Sequence, residues 1–150
     1  MSWLCGRSYK ANAKLPHNHQ GGRPEQLLGA SSLPTSGYVA LVTEGTIDYA
    51  LAKQWGYNAV CINGTGNAHA VRQNEEADRL SRTVEGANVV VAAMDSDQAG
   101  SSALERLKTQ LGHNVRTLPM PKDMKDIGDF GALPNGKSLF NKAFQEALIA

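Results

Sequence analysis

Short apolar runs alternate with longer mixed segments along most of the chain, from residue 38 onward. Four of these runs are predicted to be strands, and they lie at residues 38–42, 58–62, 88–94 and 114–118. The first three are almost continuously apolar and do not alternate between apolar and polar positions. Such runs are typical of strands that are buried on both faces of a parallel sheet.

Helices are predicted in the segments between and after the strands. The first is expected to begin with Thr46 as its N-cap and to continue to Trp55. Three more are predicted over residues 68–84, from about residue 99 to residue 111, and from about residue 138 onward. Because strands alternate with helices, we predict an α/β fold in which a parallel sheet of about four strands is flanked by helices.

Two parts of the chain lack a regular apolar pattern. Residues 1–37 are rich in Gly, Pro, Asn, His and Ser, and they contain four basic residues and one acidic residue. We expect an irregular basic arm there, or the remnant of a preceding domain, followed by one folded domain over residues 38–150. Residues 119–137 are expected to form a loop.

The overall composition narrows the class of protein. Hydrophobic residues make up 41% of the 150 positions and charged residues 19%, as in soluble globular proteins. No apolar run approaches the ~20 residues that a membrane span requires, and the N-terminal residues lack the apolar stretch of a signal peptide. Two distant cysteines, Cys5 and Cys61, form neither a disulfide framework nor a zinc cluster. We therefore expect a cytoplasmic protein that does not enter a membrane.

Acidic residues follow two of the predicted strands. Glu44 comes after the first strand, and Asp95 and Asp97 come after the third. Parallel strands place such turns at one edge of the sheet, where ligands of α/β proteins bind. Two unit charges about 4 Å apart repel by roughly 4 kcal/mol at an effective dielectric near 20, so such a cluster requires either a bound cation or raised pKa values. Oxygen ligands favour Mg²⁺ or Mn²⁺, and phosphoryl transfer is the natural reaction class. A helix N-cap is the alternative role for Asp97.

These residues resemble the Toprim domain, the catalytic fold of bacterial primases, type IA and type II topoisomerases, OLD-type nucleases and recombination-repair proteins. The Glu-Gly pair after one strand and the Asp-Ser-Asp after another carry the resemblance. Four segments are similar to those of primases and primase-helicases, namely TEGTID (43–48), CINGT (61–65), DSDQAG (95–100) and LPMPKDMKDI (118–127). In the last of these, Pro121 replaces the family's glycine and Ile127 its aromatic residue.

The resemblance implies a Toprim-like, Rossmann-like sheet and assigns roles to individual residues. Asp95 and Asp97 would coordinate Mg²⁺ or Mn²⁺, and Glu44 would join the metal site or act as general base on the attacking 3′-hydroxyl. A second set of residues would support the site or bind phosphate: Gly45, Asp48, Gly64, Thr65, Gly100, Lys122, Asp123 and Asp126.

The implied function is the Toprim catalytic part of a DNA primase that synthesises primers in DNA replication, with a phage or other mobile element as the expected source. Its partners would be single-stranded DNA template and nucleotides, with a replicative helicase or a zinc-binding primase module as further partners. A Toprim nuclease of the OLD type and a non-catalytic module that binds DNA or a helicase are the alternatives. A haloacid-dehalogenase-like phosphatase fits less well, because its D-x-D follows the first core strand.

Overall fold

The computed structural model describes residues 4–7, 17–20, 27–62 and 74–150. Six strands lie within these ranges: β1 (Leu4–Arg7), β2 (His17–Gln20), β3 (Tyr38–Thr43), β4 (Ala59–Cys61), β5 (Ala87–Ala93) and β6 (Val115–Thr117). Five α-helices accompany them: α1 (Thr46–Gln54), α2 (Asn74–Thr83), α3 (Gln98–Leu111), α4 (Ile127–Gly131) and α5 (Gly136–Ile149). In this part of the chain, no helix is long and apolar enough to cross a membrane.

Strands β3 to β6 form one parallel sheet in the order β4-β3-β5-β6. The predicted four-stranded parallel α/β fold is therefore confirmed. The two longest strands of this sheet, β3 and β5, are neighbours, and Thr43 lies opposite Ala93 at their carboxyl ends. This register brings the turns that follow β3 and β5 together at one edge of the sheet.

Apolar helix faces cover both sides of this sheet. On one side, Val42 and Val90 pack with Leu80 of α2 and Leu107 of α3. On the other side, Leu41 and Val91 pack with residues of α1, α4 and α5, which are Ala52, Ile127, Phe130, Phe140 and Phe144. Because both side-chain rows of each central strand are buried, the strands carry apolar residues at successive positions.

An aromatic cluster fixes α4 and α5 against the sheet. The ring of Phe140 is fully buried, and its centroid lies 5.2 Å from that of Trp55, 5.0 Å from Tyr57 and 5.6 Å from Phe130. Gly136 lies against the carbonyl oxygen of Phe130, where a Cβ atom would overlap it. The close approach at Gly136 lets α5 begin directly beside the end of α4.

The N-terminal region differs from its sequence prediction. Residues 1–37 are not irregular throughout, because β1 and β2 pair as antiparallel strands, with Leu4 opposite Gln20. The alternatives of a basic arm and the remnant of a preceding domain both stay predictions. Leu28 also pairs with Cys61 at the edge of the main sheet, and Leu27 and Leu33 pack on its core. Division of the chain into an arm and a domain at residue 38 stays a prediction.

Two helix boundaries also differ from the prediction. The expected loop at residues 119–137 contains α4, which is only five residues long, and α5 already begins at Gly136. Thr46 is the first helical residue of α1 and not its N-cap, since Gly45 takes that position with an extended backbone. The described part of the predicted helix at 68–84 is α2, and residues 68–73 lie outside the described residues.

Candidate metal centre

The turns after β3 and β5 meet at Glu44 and Asp95. A carboxylate oxygen of Glu44 accepts a hydrogen bond from the backbone N–H of Asp95 at 3.4 Å. Two hydrogen bonds from buried side chains fix the turn after β3. The hydroxyl of Thr43 donates to the carbonyl of Gly45, and the thiol of Cys61 donates to the carbonyl of Glu44. The two acids that the sequence places at different strand ends therefore lie side by side.

Three carboxylates converge next to this turn pair. Asp48, Asp95 and Asp126 each offer one oxygen, and these oxygens all lie within 4.8 Å of one another. Asp48 comes from the first turn of α1, Asp95 from the turn after β5, and Asp126 from the N-cap of α4. The three acids form an acidic triad that is built from three separate elements.

Asp48 is the buried member of the triad, with an exposed fraction of 7%. Burial is the main cause that raises its pKa to about 6, and the charge of Asp126 is the next. Asp95 and Glu44 raise the pKa further, whereas a hydrogen bond from the Gly128 N–H, 2.9 Å from Asp48 Oδ1, lowers it. A buried carboxylate among like charges fits a divalent cation, because the cation would neutralise the repulsion, and oxygen donors suit Mg²⁺.

Asp97 takes a different role in the structure. It is the N-cap of α3, and its Oδ1 accepts a hydrogen bond from the Gly100 N–H at 2.9 Å. This bond is the largest cause that lowers the pKa of Asp97, and the charge of Lys125 lowers it further. The side chain is 46% exposed. The acidic triad does not include Asp97, and its predicted metal contact stays a prediction.

Lys125 is a residue of the site that sequence reasoning missed. Its ammonium lies 2.8 Å from Asp95 Oδ2 and 3.7 Å from Asp97 Oδ2. The hydrogen bond and the charge of Asp95 raise the pKa of Lys125. The only signal for this contact in the sequence is the second lysine of the segment PKDMKD, directly before the acid that caps α4.

Backbone hydrogen bonds hold the segment around Lys125 against the turn after β5. The backbone N–H of Ser96 donates to the carbonyl of Lys125 at 2.9 Å, and the Ser96 hydroxyl donates to the carbonyl of Met124 at 3.1 Å. The N–H of Lys125 donates to Asp129 at 2.6 Å, and the N–H of Asp129 donates to Asp126 at 3.1 Å. Asp129, which sequence reasoning did not single out, thus helps to position Lys125.

The other predicted residues fall into three groups. Gly45 and Gly100 lie at the site: an added Cβ would come within 3.1 Å of Asp48 Oδ2 at Gly45 and would overlap the carbonyl of Asp95 at Gly100. Lys122 and Asp123 are exposed on the segment that leads to the triad. Gly64 and Thr65 lie outside the described residues.

Fold and site together define an α/β protein with a cation-attracting carboxylate cluster at the carboxyl ends of a parallel sheet. The chain belongs to the Toprim-like family, whose model matches residues 41–130. The Toprim resemblance of the sequence is thereby confirmed. No functionally curated protein matches the sequence.

Solved primase structures have the same fold. The primase fragment of the bacteriophage T7 primase-helicase protein is 20% identical with a TM-score of 0.65, over 88% of this chain and 52% of that one. A DnaG primase catalytic domain bound to ssDNA is 23% identical with a TM-score of 0.64, over 95% and 47%. The Aquifex aeolicus primase, with zinc-binding and RNA polymerase domains, is 15% identical with a TM-score of 0.63, over 95% and 36%. The chain thus spans about half of these structures or less.

Proposed function

We propose that this chain is the Toprim catalytic part of a DNA primase and forms phosphodiester bonds during primer synthesis with Mg²⁺ or Mn²⁺. The observation that carries the proposal is the meeting of Asp48, Asp95 and Asp126 within 4.8 Å, with Glu44 at the backbone of Asp95. Carboxylates in this arrangement are the ligands that hard divalent cations prefer. Membership in the Toprim-like family and the shared fold of the primase structures support the same reaction class.

Each carboxylate has a proposed role. Asp48, Asp95 and Asp126 hold the ion, which when bound stabilises negative charge on the reacting phosphate. Glu44 accepts the proton of the attacking 3′-hydroxyl, since its carboxylate lies beside the metal ligand Asp95. Asp97 orients the start of α3 and adds negative charge near Asp95. Lys122, which is exposed on the approach to the triad, binds a phosphate of the nucleotide or template.

The proposed partners come from the similar proteins. Single-stranded DNA is the proposed template, because the DnaG structure of the same fold is bound to ssDNA. A helicase is a proposed partner, since the T7 protein is a primase-helicase. A zinc-binding module is another, because the Aquifex aeolicus structure contains one. We place the protein in the cytoplasm, where replication enzymes of phages and bacteria act.

Primer extension is the direct test of this proposal. The chain is supplied with nucleotides, Mg²⁺ or Mn²⁺, and a labelled oligoribonucleotide annealed to single-stranded DNA, which bypasses initiation. We expect incorporation by the wild type and none by Asp95→Asn or Glu44→Gln, while Lys142→Met on the surface of α5 serves as the control. Cleavage of labelled DNA without incorporation supports the nuclease alternative. Metal binding without either reaction supports the non-catalytic module.

A further inference from the structure

We propose that Lys125 is a tethered cation that occupies Asp95 and Asp97 until a divalent ion displaces it. The lysine would thereby set the metal concentration at which the site fills. This inference rests on the proposed function, because it requires that the carboxylate site takes Mg²⁺ or Mn²⁺. Lys125 is not a member of the acidic triad, yet it would control how readily the triad binds an ion.

The contacts of Asp95 place Lys125 in direct competition with a metal ion. Asp95 is a member of the triad, and its Oδ2 lies 2.8 Å from the ammonium of Lys125. The nearby Asp97 accepts a hydrogen bond from the N–H of Gly100 through Oδ1, and its Oδ2 lies 3.7 Å from the ammonium of Lys125. An ion bound by Asp95 would therefore have a unit positive charge close to it unless the lysine side chain withdrew.

The side chain of Lys125 can withdraw while its backbone stays in place. The side chain is 57% exposed, so its ammonium can exchange a carboxylate for water without burial of the charge. The backbone is held by Ser96 on one side and by Asp129 on the other. After displacement the ammonium would remain within one side-chain length of the site, ready to return when the ion leaves.

Simple electrostatics gives the direction and size of the effect. Removal of the ammonium removes both a competitor for Asp95 and a like charge near the divalent ion. Because Lys125 is half exposed and the charges are screened by water and salt, we expect a gain in metal affinity of about fivefold. The gain should shrink as monovalent salt is raised, since salt screens exposed charges.

A Mn²⁺ titration of the whole chain tests the inference, with free Mn²⁺ measured by its electron paramagnetic resonance signal. We expect Lys125→Met to bind Mn²⁺ about fivefold more tightly than the wild type, and Lys125→Arg to bind like the wild type because the charge is kept. Lys142→Met is the matched control, since it removes a surface lysine that pairs with Glu146 at 4.0 Å on α5. Its affinity should equal that of the wild type.

A thermal unfolding experiment separates this role from a merely structural one. In a chelator, Lys125→Met should unfold at a lower temperature than the wild type, because Asp95 loses its partner. With saturating Mn²⁺, the same variant should show a larger rise in unfolding temperature than the wild type does. A structural lysine would lower stability in both conditions and leave the metal-induced rise unchanged.

The outcomes distinguish this inference from the proposed function. Equal or weaker Mn²⁺ binding by Lys125→Met, together with binding by the wild type, overturns the role of Lys125 and leaves the metal site intact. Absence of Mn²⁺ binding in the wild type overturns both. If Lys125→Met does not fold, Lys125→Gln, which keeps a polar side chain without the charge, provides the same comparison.

Discussion

The charged form of Asp48 is electrostatically unfavourable in the site. Its carboxyl is buried beside other acids, and its pKa is raised to about 6. An aspartate in the unfolded chain titrates near pH 3.9. Between these two values the folded protein binds more protons than the unfolded chain, so stability falls as the pH rises through this window. Ionised Asp48 therefore destabilises the metal-free protein at neutral pH.

Asp48→Asn should make the metal-free protein more stable at neutral pH. A difference of about two pKa units corresponds to at most about 3 kcal/mol, which solvent near the site reduces. The amide oxygen can still accept the hydrogen bond from Gly128. Urea unfolding in a chelator between about pH 4 and pH 8 should show a gain at the upper end and a weaker pH dependence than in the wild type.

The control for Asp48→Asn is Glu105→Gln, which removes a negative charge that is exposed on α3 and pairs with Lys108. It should leave the stability nearly unchanged across the same range. If Asp48→Asn is no more stable than the wild type at neutral pH, the ionised carboxylate of Asp48 does not destabilise the metal-free protein.

Gly100→Ala should disturb the site through the backbone of Asp95. The added Cβ would overlap the Asp95 carbonyl oxygen and lie 2.9 Å from the Asp95 nitrogen. We expect a loss of about 1–3 kcal/mol in unfolding free energy, as for other overpacked positions, and weaker binding of Mn²⁺. Ser101→Ala, an exposed change one residue later on α3, is the control and should be nearly neutral. If Gly100→Ala bound Mn²⁺ as tightly as the wild type, the expected effect of residue 100 on Asp95 would be contradicted.

At the scale of elements, long buried segments were predictable and short ones were not. Strand β5 and helix α3 lie within one or two residues of their predicted bounds, because strands covered on both faces need continuous apolar runs and an amphipathic helix shows its period over several turns. Helix α4 has five residues, too few to show a period, and it depends on the burial of Ile127 and Phe130. Strand β2 has the polar sequence HNHQ, which carries no strand signal.

Two substitutions of Asp126 separate its role in helix α4 from its role in the site. Asp126→Asn keeps a side-chain oxygen that can accept from the Asp129 N–H, so α4 should keep its cap while Mn²⁺ affinity falls. Asp126→Ala removes the cap as well and should cost about 1 kcal/mol more in unfolding free energy. Chemical denaturation and Mn²⁺ titration of both variants measure the two effects. Equal stability of the two variants would show that the cap contributes nothing.

At the scale of the whole molecule, the sequence predicted that the site lies at the carboxyl-end edge of the parallel sheet, but not all the contacts made there. Turns after parallel strands share one edge, so the meeting of Glu44 and Asp95 followed from alternating strands and helices once β3 and β5 proved to be neighbours. The inward placement of Asp48 and Asp126 depends on how α1 and α4 dock on the sheet. The contact of Lys125 with Asp95 depends on the path of the preceding loop, which no local pattern specifies.

A divalent ion should stabilise the whole domain, because its proposed ligands come from α1, the turn after β5, and α4, and are brought together only by folding. An ion at 100 times its dissociation constant adds about 2.7 kcal/mol to the unfolding free energy if it binds only the folded chain. In urea unfolding, Mg²⁺ or Mn²⁺ should raise the midpoint with an unchanged slope, and Asp95→Asn should lose the effect. Sodium chloride at equal ionic strength is the control for screening. An equal rise with sodium would exclude a specific site.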